Sequence, residues 1–403
     1  KYKSAVEPFL AQEMSPENRE QMTVLLNSVW GTIVSDIAKS RNLTIAQLDV
    51  IANTLGARTP ELALANKLVD KVAYEDEYHN AIRTKLKVDK KEKYNIVSIT
   101  DYAKTAATSI EDYSKDDIIA VIYAQGEIAG GEGDVNVIGE GSIKRSLQEA
   151  REDDDVKAIV LRVNSPGGSA LTSELIWREI EITKKTKPVV VSMGNYAASG
   201  GYYISANADR IFAEPNTITG SIGVFGMLPN MNQLGKNIGI NAEQVKTHEN
   251  ASGYSVFEPI DENFKGFVLE SIEKTYATFL KRVADGRKMT TEQVDAIAQG
   301  RVWTGVDAQK LGLVDEIGGL DDAIKYAAKL GKTDSYRTEN FPEYEKSFED
   351  LLANFTGMAM FKTKEQLLKE QLGEEGFQML EQIKRVKSRK GIQAMMPYEI
   401  EIH

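Results

Sequence analysis

The chain has 403 residues, 42% of them hydrophobic and 27% charged, a length that implies about two or three domains and enough apolar surface for one or two cores. Its net charge of −11 argues against nucleic acid, which asks for basic stripes, and its lack of cysteine excludes disulfides, thiol catalysis and cysteine-ligated metals. Three histidines make a zinc site a poor fit, and no apolar run approaches the roughly 20 residues that a membrane helix needs.

Residues 14–82 read as helices. Ser15-Pro16-Glu17 is a helix start, and Met22, Leu25, Leu26, Val29, Trp30 and Ile33 then recur at three- and four-residue steps, the mark of one buried face. Residues 84–117 read as a connection, with a charged, solvated run at Asp89–Lys93 and a strand-like segment at Asn95–Ile99. From Ile118 the pattern changes to alternating strands and helices. Strands are expected at Ile118–Tyr123, Ala158–Val163, Val189–Met193 and Arg210–Ala213, with helices at Gly141–Arg151, Leu171–Thr183 and Ala197–Ala206, which predicts a layered α/β core around parallel strands. Gly130–Gly133 forms a glycine turn without the Gly-Lys-Ser/Thr ending of a phosphate loop, so a nucleotide role is rejected. Two more helices are expected at Glu262–Ala284 and Thr291–Gln299. Residues 333–403 read as an extension with helices at Glu345–Phe355 and Thr363–Val386, a basic cluster at Lys384–Lys390, and a terminal strand at Met395–Ile402 suited to docking on a neighbouring subunit.

Two of the expected strands end in glycine turns, and these carry the chemistry. Pro188–Tyr202 is a buried strand that turns sharply and presents Ser199 at a helix start, flanked by Ala197, Ala198, Gly200 and Gly201. Small neighbours let substrate approach a serine that must be aimed and deprotonated to act as a nucleophile. The bland alternative is Ser199 as a helix N-cap. Upstream, Ala158–Val163 ends in Asn164-Ser165-Pro166-Gly167-Gly168-Ser169, a turn whose backbone N–H groups could hold an oxyanion, or which is only a tight connection. Taken together the two turns suggest acyl transfer at a serine. The base is open: His79 lies in a charged helical stretch, His248 in a polar loop-like segment, and a lysine would serve if burial lowered its pKa.

An internal repeat adds a domain statement. Arg41–Ala52 lines up with Arg287–Ala298 and Ala63–Val72 with Ala308–Ile317, the second copy being one residue shorter between the two blocks. So long a period means a duplicated domain, because solenoid units run to only about 20 to 50 residues. The first copy lacks the strand-rich half that precedes the second, so it reads as truncated and the chain as a fragment.

Asn164–Gly168, Ala197–Tyr202 and Thr219–Gly226, in this order, resemble the signal peptide peptidase A family in its long two-domain form. The opening Tyr2–Phe9 resembles the segment that carries that family's catalytic lysine. The resemblance implies a Clp-protease/crotonase-like layered α/β fold with a duplicated domain. Residues 1–83 would be the helical end of the first copy, 84–117 the interdomain connection, 118–332 the second copy with the nucleophile, and 333–403 an extension. It further implies a Ser/Lys dyad that hydrolyses signal peptides and other hydrophobic peptides without metal or cofactor. Ser199 would be the nucleophile, Lys3 the general base and Ser221 the residue that orients the lysine, while the N–H groups of Gly168 and Gly200 would form the oxyanion hole. A homo-oligomer such as a tetramer, a membrane anchor upstream of Lys1 and a bacterial inner-membrane location facing the periplasm belong to the same implication. A crotonase-like acyl-CoA enzyme and a non-catalytic assembly subunit are the competing readings.

Overall fold

A computed structural model describes residues 1–4, 7, 11–89, 92–99, 101–102, 116–248, 251, 254–341 and 393–395. The chain divides into two compact units, one of Lys1–Leu25 with Asp116–His403 and one of Leu26–Lys115. The helices are α1 (Pro16–Arg41), α2 (Ile45–Asn53), α3 (Pro60–Ala65), α4 (Glu75–Leu86), α5 (Glu140–Glu152), α6 (Ala170–Thr183), α7 (Gly200–Ser205), α8 (Asn232–Asn237), α9 (Glu262–Arg287), α10 (Thr291–Ile297), α11 (Gly305–Lys310) and α12 (Leu320–Leu330). The strands are β1 (Asp117–Gln125), β2 (Glu127–Ala129), β3 (Gly133–Asp134), β4 (Val137–Gly139), β5 (Val156–Ser165), β6 (Gly167–Ser169), β7 (Val189–Ala198), β8 (Arg210–Ala213), β9 (Ile218–Gly220), β10 (Val302–Thr304), β11 (Glu316–Ile317), β12 (Tyr336–Phe341) and β13 (Gln393–Met395).

The main sheet of the first unit runs β10-β9-β7-β5-β1-β12, with β8 beside β7 and β11 beside β8. Its central pairs are parallel, and only β10 runs antiparallel, against β9. Both faces are covered, which is why β1, β5 and β7 read as nearly continuous apolar runs. Ile118, Ala120, Ile122 and Ala124 of β1 point to one face with Ile143 and Leu147 of α5, Ile176 and Ile180 of α6, and Phe279 and Val283 of α9. Ile119 and Val121 point to the other, with Val160, Val190 and Ala323, Ala327 and Ala328 of α12. A smaller sheet, β13-β6-β2-β4-β3, holds the Gly167-Gly168 turn between β2 and β13.

The expected α/β class and parallel strands are present. Two local expectations are corrected. Asn95–Ile99 is not a strand, since among the described residues it has no paired neighbour to satisfy an extended backbone, and Ile99 lies in a helical turn. Ala197 and Ala198 are strand rather than helix: they bond to β9 opposite Thr219 and Gly220, so β7 stays paired right up to Ser199. The extension helices at 345–355 and 363–386, the basic cluster at 384–390 and residues 396–402 of the expected terminal strand lie outside the described residues. Of the chain end, Gln393–Met395 is a strand, paired antiparallel with β6 of its own chain.

The second unit is helical. Thr44 and Gln47 form a capping box at the start of α2, Thr59 caps α3 with Pro60 in its first turn, and the Trp30 indole N–H donates to Asp49 at 3.0 Å. Arg41 donates through Nε to the Lys67 carbonyl at 2.7 Å and through its guanidinium to Asp70 at 2.9 Å. The first unit repeats this local design: Thr290 and Gln293 form a capping box on α10, and Arg287 donates to the Gly312 carbonyl at 2.9 Å and to both oxygens of Asp315 at 2.6 and 3.0 Å.

Candidate functional site

Ser199 sits at the junction of β7 and α7. Val189–Met193 is buried and apolar, and β7 changes partner along its length. Val190–Ser192 pairs with β8, and Tyr196–Ala198 pairs with β9. At the end of the strand the chain must turn at once into α7, and the turn falls on Ser199, with φ 55° and ψ −114°. A non-glycine residue holds that conformation only when its surroundings over-determine it. Here the Ser199 N–H donates to the Gly220 carbonyl at 2.8 Å, and its carbonyl accepts from the Tyr203 N–H at 2.8 Å. Ser199 thus stands at the N-cap position of α7, but its side chain makes no capping bond.

Its hydroxyl is engaged elsewhere. The Lys3 amine lies 2.8 Å from Ser199 Oγ and 3.1 Å from both the hydroxyl and the carbonyl oxygen of Ser221. The Ser221 hydroxyl donates to the Gly300 carbonyl at 3.2 Å, which leaves its lone pairs to accept from the lysine. A neutral amine has two N–H donors and one lone pair. In its neutral form the amine, with both donors on Ser221, has its lone pair left for the Ser199 O–H, whose other contact is the Gly223 carbonyl at 3.4 Å. Although the Lys3 stem is only partly enclosed, burial of its amine holds the pKa well below the ordinary 10.5, because desolvation disfavours the charged form. The Phe225 ring, 6.0 Å from the amine, is part of that dry surround.

The two glycine turns meet at this place. Gly200 opens α7, where first-turn N–H groups have no carbonyl to bond within the helix. Gly168 lies in β6, which packs against α7, and a Cβ there would stand 2.0 Å from the Ile128 carbonyl oxygen at φ 155°, so only glycine fits. Gly201 is equally confined: its Cβ would stand 2.8 Å from the carbonyl oxygen of Ser165 at the end of β5.

All five residues singled out in the sequence, Lys3, Gly168, Ser199, Gly200 and Ser221, therefore belong to one unit. Histidine is not brought in. The His248 ring is exposed and meets the Thr247 hydroxyl, His79 bonds Tyr94 and Glu75 within the helical unit, and His403 lies outside the described residues. Of the segment around Lys3, residues 5, 6 and 8–10 lie outside the described residues. The sequence reading missed the burial of Ser199, which is 0% exposed, and the supports of Lys3 contributed by Gln21 and Gly300. A buried glutamine on a helix face and a glycine after a helix have no distinguishing pattern in one sequence.

The family model described as peptidase family S49 matches residues 1–89 and 181–334, stretches that include Lys3, Ser199, Gly200 and Ser221 but not Gly168. Protease 4 of Haemophilus influenzae is 40% identical over 82% of this chain and 55% of its own length. Protease 4 of Salmonella typhi is 38% identical over 88% of this chain and 58% of its own. The chloroplastic serine protease SPPA of Arabidopsis thaliana is 33% identical over 81% of this chain and 49% of its own. The chain thus spans about half the length of these relatives.

Proposed function

The chain belongs to peptidase family S49, and on that premise we propose that it is a serine endopeptidase with a Ser199–Lys3 dyad. The single observation that carries the reading is the 2.8 Å contact between Lys3 Nζ and Ser199 Oγ, made across 196 residues by an amine whose pKa burial lowers. In this reaction Ser199 Oγ attacks the peptide carbonyl while its proton passes to Lys3. The tetrahedral oxyanion rests on the N–H groups of Gly168 and Gly200, and the C–N bond breaks as Lys3 returns the proton to the leaving amine. Water then hydrolyses the ester with the same base. Ser221 orients the amine throughout.

Peptides suit the site. β6 lies beside the nucleophile and takes an extended segment along its edge, as residues 393–395 do in antiparallel register with Gly167–Ser169, the geometry of strand-addition recognition. The family resemblance favours signal peptides and other hydrophobic peptides as substrates, turned over at the bacterial inner membrane on its periplasmic side by a homo-oligomer. The internal repeat favours residues 1–83 as the end of one domain copy and 118–332 as the second, joined by 84–117 and followed by the 333–403 extension. An acyl-CoA enzyme would have no task for the lysine–serine contact.

The test is covalent. A serine-directed acylating probe is expected to label Ser199 in the full-length protein, and Ser199→Ala is expected to lower peptide hydrolysis by at least about 1,000-fold. Undiminished turnover in that variant would refute the assignment. Labelling also measures access, since Ser199 is covered in this structure and the probe must reach it.

A further inference from the structure

We propose that Gln21 and Gly300 are positioning residues that hold the Lys3 amine on Ser199, an inference that rests on the dyad reading above. Lysine ends a flexible four-carbon stem, and a base works only when held within hydrogen-bond reach of the proton it takes. Neither residue touches the reacting atoms; both act on the backbone that carries Lys3.

Gln21 is 1% exposed, on the second turn of α1. Its amide donates to the Tyr2 carbonyl at 2.9 Å and to Asn18 Oδ1 at 3.1 Å, and its oxygen accepts from the Val302 N–H at 3.4 Å. Val302 stands opposite Gly220, the residue before Ser221. One carboxamide thus ties the peptide before Lys3 to the strand pair that carries Ser221. A buried amide with every donor and acceptor in use is a fixed strut, and removing it leaves two backbone groups without it.

Gly300 supports the other side. At φ +84°, its missing Cβ would lie 2.6 Å from Lys3 Cβ and 2.8 Å from Lys3 Cα and N, so the lysine backbone rests directly on it. Its N–H donates to the Ile222 carbonyl at 2.8 Å, and its carbonyl takes the Ser221 hydroxyl. Beside it the Gln299 carbonyl accepts the Tyr2 N–H at 2.8 Å. The loop after α10 therefore sets the distance between Lys3 and Ser221 through one residue, and only glycine permits it.

The groups facing the amine are the hydroxyls of Ser199 and Ser221, the Ser221 carbonyl and the Phe225 ring. Of the charged side chains on the elements packed around the segment, Glu20 of α1 and Arg301 after Gly300 bind each other at 3.0 Å. Loosening the segment would readmit water to the amine and raise its proton affinity. This separates positioning from simple structural support, because the pH profile must move along with the rate.

The experiment measures kcat and KM for peptide hydrolysis against pH in the full-length protein and its Gln21→Met, Gly300→Ala and Lys3→Met variants. Gln21→Met and Gly300→Ala are expected to lose on the order of 100-fold in kcat with KM within about twofold, and to shift the ascending limb to higher pH. If Ala at 300 prevents folding, Gln21→Met alone decides. A kcat for Gln21→Met within about threefold of the parent, or a fall with an unmoved pH midpoint, overturns the inference. Activity retained by Lys3→Met would instead sink the dyad reading, whereas a dead Lys3→Met beside a normal Gln21→Met sinks only the positioning role.

Discussion

Ser199 and Lys3 make opposite demands on their surroundings: the serine must be held in a conformation that it would not choose, and the lysine must be kept from a charge that it would. The elbow meets the first demand with Ser199 at φ 55°, fixed by backbone bonds to Gly220 and Tyr203, and burial of the amine meets the second. The pH consequence has a definite sign. Because the folded pKa of Lys3 lies below the unfolded 10.5, the unfolded state binds more protons between the two values, so the lysine costs stability at low pH and the cost fades as pH rises through that window. Lys3→Met is therefore expected to gain in melting temperature relative to the parent at pH 7 and to lose part of that gain at pH 9.5. A gap that stays constant with pH would contradict it. In the same window kcat/KM should rise with pH and level off well before 10.5. The serine elbow was legible in the sequence because a valine strand running into alanine and glycine flanks marks a sharp turn into a helix. Lys3 was not legible from residue pattern, since a lysine in an irregular segment resembles any solvated charge, and only the family likeness of Tyr2–Phe9 pointed to it.

At the scale of elements, the strand-helix alternation from Ile118 to Ala213 was legible because parallel strands covered on both faces leave long β-branched runs. The ends were less so. Ala197-Ala198 reads as helix by propensity, yet pairing with β9 overrides it. The repeated arginine pairs give an element-scale comparison. Arg287 is 7% exposed and Asp315 21%, and the Asp315 carboxylate also accepts the Ile211 N–H at the start of β8, whereas Arg41 is 23% exposed and Asp70 90%. Removing the enclosed arginine strands a half-buried carboxylate, so Arg287→Met is expected to cost about 3 kcal/mol. Arg41→Met loosens a pair open to water and should cost about 0 to 1 kcal/mol. Chemical denaturation of the two variants checks the difference, and equal costs would show that burial does not set it.

Across the whole molecule, the first unit is discontinuous in sequence, because residues 1–25 belong with 116–403. The sequence pattern placed the opening residues with the helical segment instead, since hydrophobic periodicity along α1 does not reveal where its partners change. The same unit places β13 on the edge of β6, where an incoming peptide would add as a strand. Truncation after residue 392 is expected to free that edge and raise kcat/KM for peptides by about 2- to 10-fold, through a larger fraction of chains with the edge open. Kinetics on the truncated and parent proteins test this, and an unchanged or lower kcat/KM would show that β13 does not compete.

The resting place of Lys3 on Gly300 also orders events during synthesis. Of the three, the amine is made first, the hydroxyl 196 residues later, and the loop that carries Gly300 last. A chain still leaving the ribosome thus carries the Ser199 hydroxyl before Lys3 has Gly300 to rest on. The contact between Lys3 and Gly300 thus forms only after both ends of that span have been made.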